Sequence, residues 1–235
     1  MVLRWSLACF FALCLPAAAC KPAPGADLRH CSFAGAALES IDMRNARLDG
    51  VDFRGANLKW ANLSGASIKN ANFARADLFH TTFDRADLSG ADLSDTYLFG
   101  ANLIGTVAVG AVFTGANLKD ILMEGADLTR ANLEGVYMFR AVISGGKLIE
   151  ARLAGAQMVG ADAENTDFSR ADLSRSSLSG ATLHGARFDG ANLSGSNFNN
   201  AVGADYAHAR TPPGSEKTNE DRSINRILLD QTLTK

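Results

Sequence analysis

The side chains with chemical reach are four histidines, four cysteines and a regular series of carboxylates. His30, His80, His184 and His208 never stand at the short spacings of a zinc site. Asp77, Asp87, Asp92 and Asp127 are separated by multiples of five, and no two of them stand apart as an acid–base pair. The sequence has no nucleotide-binding glycine loop, no His-Glu-x-x-His and no Gly-x-Ser-x-Gly. It therefore implies no catalytic residue, no metal ligand set and no cofactor, and the expected protein is not an enzyme. The formal net charge of −2 argues against a basic nucleic-acid binder.

The cysteines carry more. Arg4 gives a short positive start, and Leu7 to Leu15 is an apolar run too short to span a bilayer. Ala17-Ala18-Ala19 then leads into Cys20, so residues 1–19 read as a signal peptide that takes Cys9 and Cys14 with it. Two readings of Cys20 stand side by side. Ala17 and Ala19 form an Ala-x-Ala cleavage site, which leaves Cys20 free to pair with Cys31 in an oxidising compartment. The stretch also resembles a bacterial lipobox, with Ala17 where that motif usually carries Leu. On that reading Cys20 is the lipidated first residue, Lys21-Pro22-Ala23-Pro24-Gly25 is a tether (20–25), and Cys31 is a lone thiol. Either way the expectation is an exported protein: periplasmic, an outer-membrane lipoprotein, or secreted.

The elements that position all these residues come from an internal repeat. Ala-Asn-Leu-Ser-Gly occurs at 61–65 and again at 191–195, with Ala-Asp-Leu-Ser-Gly at 86–90. Stepping by five from Ala26, the frame holds to Asn200 without insertion or deletion, giving 35 pentads. The central residue, called i, is Leu, Phe, Met or Ile in 33 of them, the exceptions being Ala108 and Ala163. Position i−2 is Ala in 23 and small or β-branched elsewhere. No helix or plain strand keeps such a pattern on one face, because neither period divides five. A chain that turns a corner every five residues does keep it, with i and i−2 inward and i−1, i+1 and i+2 outward. Four sides then make a coil of twenty residues. Asn or Asp at i−1 and Gly at i+2 suit the corners.

This pattern, Ala-(Asp/Asn)-Leu-x-x over residues 26–200, resembles the pentapeptide-repeat family. The resemblance implies an all-β fold, a right-handed quadrilateral β-helix of about nine coils, with handedness supplied by the family. Coils stacked at ~4.8 Å would make a rod of roughly 42 Å. Residues 201–210 extend the pattern as a last partial coil. Thr211 to Arg222 reads as a linker, and Ser223 to Leu233 as a short helix capped by Ser223, with Ile224, Ile227 and Leu228 on one face. Within 211–235 that helix would cap the open end of the solenoid or make a dimer.

Twenty-residue stacking gives each residue a column. Inward columns are Phe33, Phe53, Phe73, Leu93, Phe113 and Leu38, Leu58, Leu78, Leu98, Leu118, Met138, Met158. Ala108 interrupts another, beside the apolar outward residues Val107, Val109 and Val112. Outward columns should be polar, and one side breaks the rule. It carries Phe79, Phe99, Lys119, Phe139 and Val159 at i+1, Tyr97 and Tyr137 at i−1, and Trp60 and His80 at i+2. The next side adds Leu122, Val142 and Ile104. A contiguous apolar stripe of this kind marks a binding surface, so the candidate partner-binding residues are Trp60, Phe79, Tyr97, Phe99, Leu122, Tyr137, Phe139, Val142 and Val159. The partner is an unidentified protein or a second copy, with no nucleic acid, and a membrane only through a lipidated Cys20. Aromatic support of coil stacking, or cover by the C-terminal segment, would explain the same stripe. The functional expectation is a non-catalytic interaction scaffold of the bacterial envelope, with a self-associating structural rod as the alternative. One branch of the resembled family mimics DNA and protects topoisomerases. Arg44, Arg54, Arg75, Arg85, Arg130, Arg170 and Arg175 break up the negative charge that such mimicry needs, and the signal peptide sends this chain elsewhere.

Overall fold

The computed structural model describes residues 20–206 and 208–210. Among them there is no helix. Each side of the coil makes a one-residue parallel bridge to the residue twenty positions on, from Asp27–Arg47 to Thr182–Val202. The fold is the right-handed quadrilateral β-helix, all-β, with four sides per coil. It grows from the hydrogen-bonding needs of one pentad. In residues 56–60, Asn57 N–H donates to Ala36 C=O on the coil before (2.9 Å). Leu58 and Trp60 donate to Asp77 and Phe79 on the coil after (2.8 and 2.9 Å), and Ala56 closes the previous corner onto Phe53 (3.0 Å). The remaining amide, Lys59 N–H, donates to Asn57 Oδ1 (3.2 Å). All five amides are thus paired.

The last of these bonds explains the Asp/Asn at i−1. The frame has 18 such residues, and all 18 accept from the N–H two positions on. This is the Asx turn, in which a short side chain stands in for a backbone acceptor. The corner itself needs a left-handed third residue. From Gly35 to Asn200 every i+2 residue has a φ between 52 and 73°. Sixteen of the positive-φ residues are not glycine, Arg75, Arg130 and Glu150 among them, at a strain of about 1 kcal/mol each. At Gly65 a Cβ would meet the Asn45 side chain on the coil before, which would have to move aside.

The interior is continuous along the rod. From Leu28 to Phe198 the i residues are buried apart from Leu193, with the i−2 alanines filling the space beside them. Phe33, Phe53 and Phe73 stack at 5.4 and 4.8 Å, and Phe168 on Phe188 at 5.2 Å. Ala108 and Ala163 are fully buried in the same columns. Where Thr replaces Ala at i−2, its hydroxyl bonds a core carbonyl, as Thr81 to Leu58 C=O (2.8 Å) and Thr106 to Phe83 C=O (2.9 Å).

At the C-terminal end the register changes. Thr182–Val202 keeps the offset of twenty, but Asn192 pairs with Arg210, eighteen on. Two residues drop out after Val202, where Gly203 takes φ +77°. The frame would have sent His208 into the column above Phe188. The slip sends Tyr206 there instead, against Phe188 (5.4 Å) and Phe198 (4.7 Å). Burial raises the Tyr206 phenol well above its usual range, and its hydroxyl finds no partner among the described residues. The expected helix over 223–233, and its capping or dimerising role, lie outside the described residues.

Two substitutions test this account. Phe53→Ala removes the middle ring of a buried stack and should cost about 3–5 kcal/mol in urea unfolding. Asn102→Ala removes the acceptor of Ile104 N–H (2.9 Å) and should cost about 1 kcal/mol, whereas Asn102→Asp keeps the acceptor and should recover most of it.

Candidate interaction surface

Because i−1 and i+1 both face outward two residues apart, each rung presents a pair of side chains, and the rungs stack them. On the side centred on Leu78, Leu98 and Met138 this produces ring-to-ring contact. Phe79 lies parallel to Phe99 (5.7 Å, 11°) and to Tyr97 (6.0 Å, 5°), and Tyr97 to Phe99 (6.2 Å, 15°). Trp60 meets Phe79 edge-on (5.3 Å) and stacks on His80 (4.4 Å, 4°). The imidazole is held between that indole and the backbone of Gly100, where a Cβ would come within 2.5 Å of its Cε1. Trp60, Tyr97 and Tyr137 are 52, 41 and 54% exposed, while Phe79, Phe99 and Phe139 are half-buried. The half-buried phenylalanines therefore also stabilise the stacking of the coils, as aromatic ladders do on sheets.

The stripe is not unbroken. Tyr137 and Phe139 form a second parallel pair (6.5 Å, 11°), separated from the first group by the polar rung of Asn117 and Lys119. Lys119 bends over the Phe99 ring, with Nζ 5.7 Å from its centre, a cation–π contact across the gap. Val159 follows Phe139 one rung on and is half-buried. Leu122 (37% exposed) and Val142 are bridged neighbours on the next side. Column logic placed all nine candidates outward; the roles of His80 and Lys119 were missed because a ring stack and a cation over a ring depend on rotamers, not on spacing. A second apolar group, Val107 (40% exposed) with Val109 and Val112, sits on the other sides of the rod.

Many of the charged residues pair with one another. Lys59 reaches Asp77 (3.0 Å), Arg140 grips Asp120 through both oxygens (2.7 Å each), and Glu150 lies between Arg130 and Arg170 (2.7 and 2.8 Å). Hydrogen bonds from arginine hold Asp42, Asp52, Asp120 and Glu150 below the usual carboxylate range. Among the described residues no group of three His, Cys, Asp or Glu side chains converges as a metal site. Cys20 and Cys31 are joined in a disulfide, with Cα atoms 5.7 Å apart. The sulfur of Cys20 has one bond to give, so a disulfide and a diacylglyceryl thioether exclude each other on the same molecule.

A model of pentapeptide repeats matches the chain in adjoining or overlapping segments from residue 25 to residue 202. The chain belongs to the pentapeptide-repeat family. Among solved structures it is similar to HetL from the cyanobacterium Nostoc sp. strain PCC 7120, a pentapeptide repeat protein involved in heterocyst differentiation regulation. The two are 30% identical over 82% of this chain and 90% of that one, with a TM-score of 0.40. A trypsin-treated variant of QnrB1, a plasmid-mediated fluoroquinolone resistance protein, shares the fold: 22% identity, 76% of this chain, 90% of that one and TM-score 0.51. Full-length QnrB1 gives 22% identity, 86 and 92% coverage and TM-score 0.50. No relative was found among curated proteins.

The arginine-paired carboxylates set an acid limit. Their folded-state pKa values are depressed, so their stabilisation is complete above the unfolded value of about 4 and is lost as pH falls through the lower folded values. The urea midpoint should be flat between about pH 5 and 8 and decline below about pH 4. A midpoint that rises on acidification would contradict the pairing.

Proposed function

We propose that this chain is a non-catalytic protein-interaction scaffold of the bacterial cell envelope, exported by its N-terminal segment and binding through the aromatic edge of the solenoid. The observation that carries this reading is the contiguous group of Trp60, Phe79, His80, Tyr97 and Phe99, continued by Tyr137 and Phe139, on the outside of a fold whose core is already filled. Exposed apolar patches rimmed by polar residues mark interaction sites, and Tyr and Trp dominate the energetically important positions of interfaces. Pairing of acids with arginine and lysine around the rod speaks against mimicry of DNA by dense negative charge. The envelope reading is supported by Cys20, which as an acylated N-terminus would anchor the chain and which, as half of a disulfide with Cys31, suits an oxidising compartment without anchoring it.

The double variant Phe99→Ser/Phe139→Ser should keep the cooperative unfolding of the parent and lose recovery of its envelope partner by at least about tenfold. Unchanged recovery with intact folding would sink the idea. If the variant instead abolishes a concentration-dependent increase in size, the surface serves a second copy and the protein is a self-associating rod. The intact mass of the mature chain tests export. Diacyl or triacyl Cys20 establishes a lipoprotein, and a chain starting at Cys20 and short by two hydrogens establishes a disulfide-bonded soluble protein. A chain retaining Met1 with free thiols removes the envelope from the proposal.

A further inference from the structure

Lys21-Pro22-Ala23-Pro24-Gly25 keeps the frame of the repeat. Gly25 takes the left-handed corner (φ 68°), and its N–H donates to Arg44 C=O (2.8 Å), as Trp60 N–H does to Phe79 C=O. Ala26 N–H closes the corner onto Ala23 C=O (3.2 Å). The stretch that reads in the sequence as a tether is thus the first side of the solenoid. Pro22 and Pro24 stand at i−1 and i+1. Elsewhere the i−1 N–H needs a carbonyl on the coil before, and the i+1 N–H an Asx side chain. Proline carries no N–H, which suits the edge of a sheet. The coil that follows shows the need, since the N–H groups of Asp27, Ser32, Ala37 and Asp42 have no backbone acceptor among the described residues.

The start of this side is fastened covalently. In frame, Cys20 would stand at the corner in register with Ser40, diagonally across the coil from Cys31. Instead the two Cα atoms are 5.7 Å apart. Cys31 is an inward i−2 residue packed on the core, so the disulfide draws Cys20 across the open mouth of the coil. Leu28, Phe33 and Leu38 stay buried there (1, 8 and 8% exposed), although no coil precedes them among the described residues. Cys20, Lys21 and Pro22 make no hydrogen bond among the described residues, so the disulfide is the bond that holds them.

We propose that the Cys20–Cys31 disulfide is a redox-sensitive latch on the N-terminal end of the rod. Oxidised, it holds residues 20–25 as a cap over the apolar mouth. Reduced, it lets that side peel away and bares Leu28, Phe33 and Leu38. The reductant is a dithiol. Its thiolate attacks the Cys20 sulfur, Cys31 leaves and takes up a proton, and the second thiol of the reductant resolves the mixed disulfide. The protein gains two hydrogens and the reductant becomes a disulfide. Each coil touches only its neighbours, so opening one end leaves the rest of the stack in place. The latch is separate from the aromatic edge and needs Cys20 free of acyl groups.

In the full chain with Cys9→Ser and Cys14→Ser, Cys20 and Cys31 are the remaining cysteines. Dithiothreitol under native conditions should add two hydrogens to the intact mass. Hydrogen exchange at the Gly25 and Ala26 amides should then quicken by about tenfold or more, while amides deep in the stack, such as those of Trp60 and Leu118, keep their rates. Adding Cys31→Ser should reproduce the reduced pattern without reductant. Unchanged exchange at Gly25 and Ala26 after reduction overturns the latch, because hydrogen bonds alone would then hold the cap. Unfolding of the whole rod on reduction overturns it as well, since the disulfide would be a staple of the entire fold. So does an intact mass that dithiothreitol leaves unaltered, or an acylated Cys20 in protein recovered from its native membrane. None of these outcomes touches recovery of a partner through Phe99 and Phe139, so the scaffold reading stands or falls on its own test.

Discussion

Five backbone amides must find acceptors in every five residues while the chain turns a corner, and the rest of the structure depends on how that is met. Three of them reach the coils above and below and one closes the turn, as in residues 56–60. The fifth, at i+1, points where no carbonyl lies. A side-chain oxygen two residues back supplies the acceptor, which is why Asn and Asp recur at i−1 and why all 18 of them make the same bond. Leaving a backbone amide unpaired costs about as much as a lost hydrogen bond. Where Leu122, Val142 or Tyr137 occupies i−1, that local acceptor is absent.

Closing the corners fixes the interior. A coil of twenty residues leaves room for one large and one small side chain per side, and stacking places like on like, as with Phe33, Phe53 and Phe73. The end of the rod obeys the same constraint. An unbroken frame would have buried His208 over Phe188; dropping two residues at Gly203 puts Tyr206 there instead. The aromatic ring covers the last apolar column and its hydroxyl carries the cost of that position.

The same stacking turns sequence distance into surface geometry. Any outward residue acquires neighbours twenty positions away, so a few bulky substitutions at one column make a ridge with a repeat set by the sheet spacing. Ion pairs such as Lys59–Asp77 and Arg140–Asp120 arise identically. Being exposed, they contribute little each. Lys119, beside Asp120, makes no ion pair of this kind among the described residues and leans over the Phe99 ring instead.

The coil, its frame and the membership of each column were legible in the sequence because a constant period of five, unbroken from 26 to 200, permits one register. Inward and outward follow from position alone, and so did the apolar character of the Phe79, Phe99 and Phe139 side. What the tertiary structure decided depends on rotamers and on breaks in the period. The stacking of His80 between Trp60 and Gly100, the lean of Lys119 over Phe99, and the division of the stripe at the Asn117 rung are settled by side-chain packing between coils, which no period encodes. The two-residue slip at Gly203 lies just past the end of the regular frame, where local turn geometry and the demand to cover Phe188 outweigh continuation of the repeat.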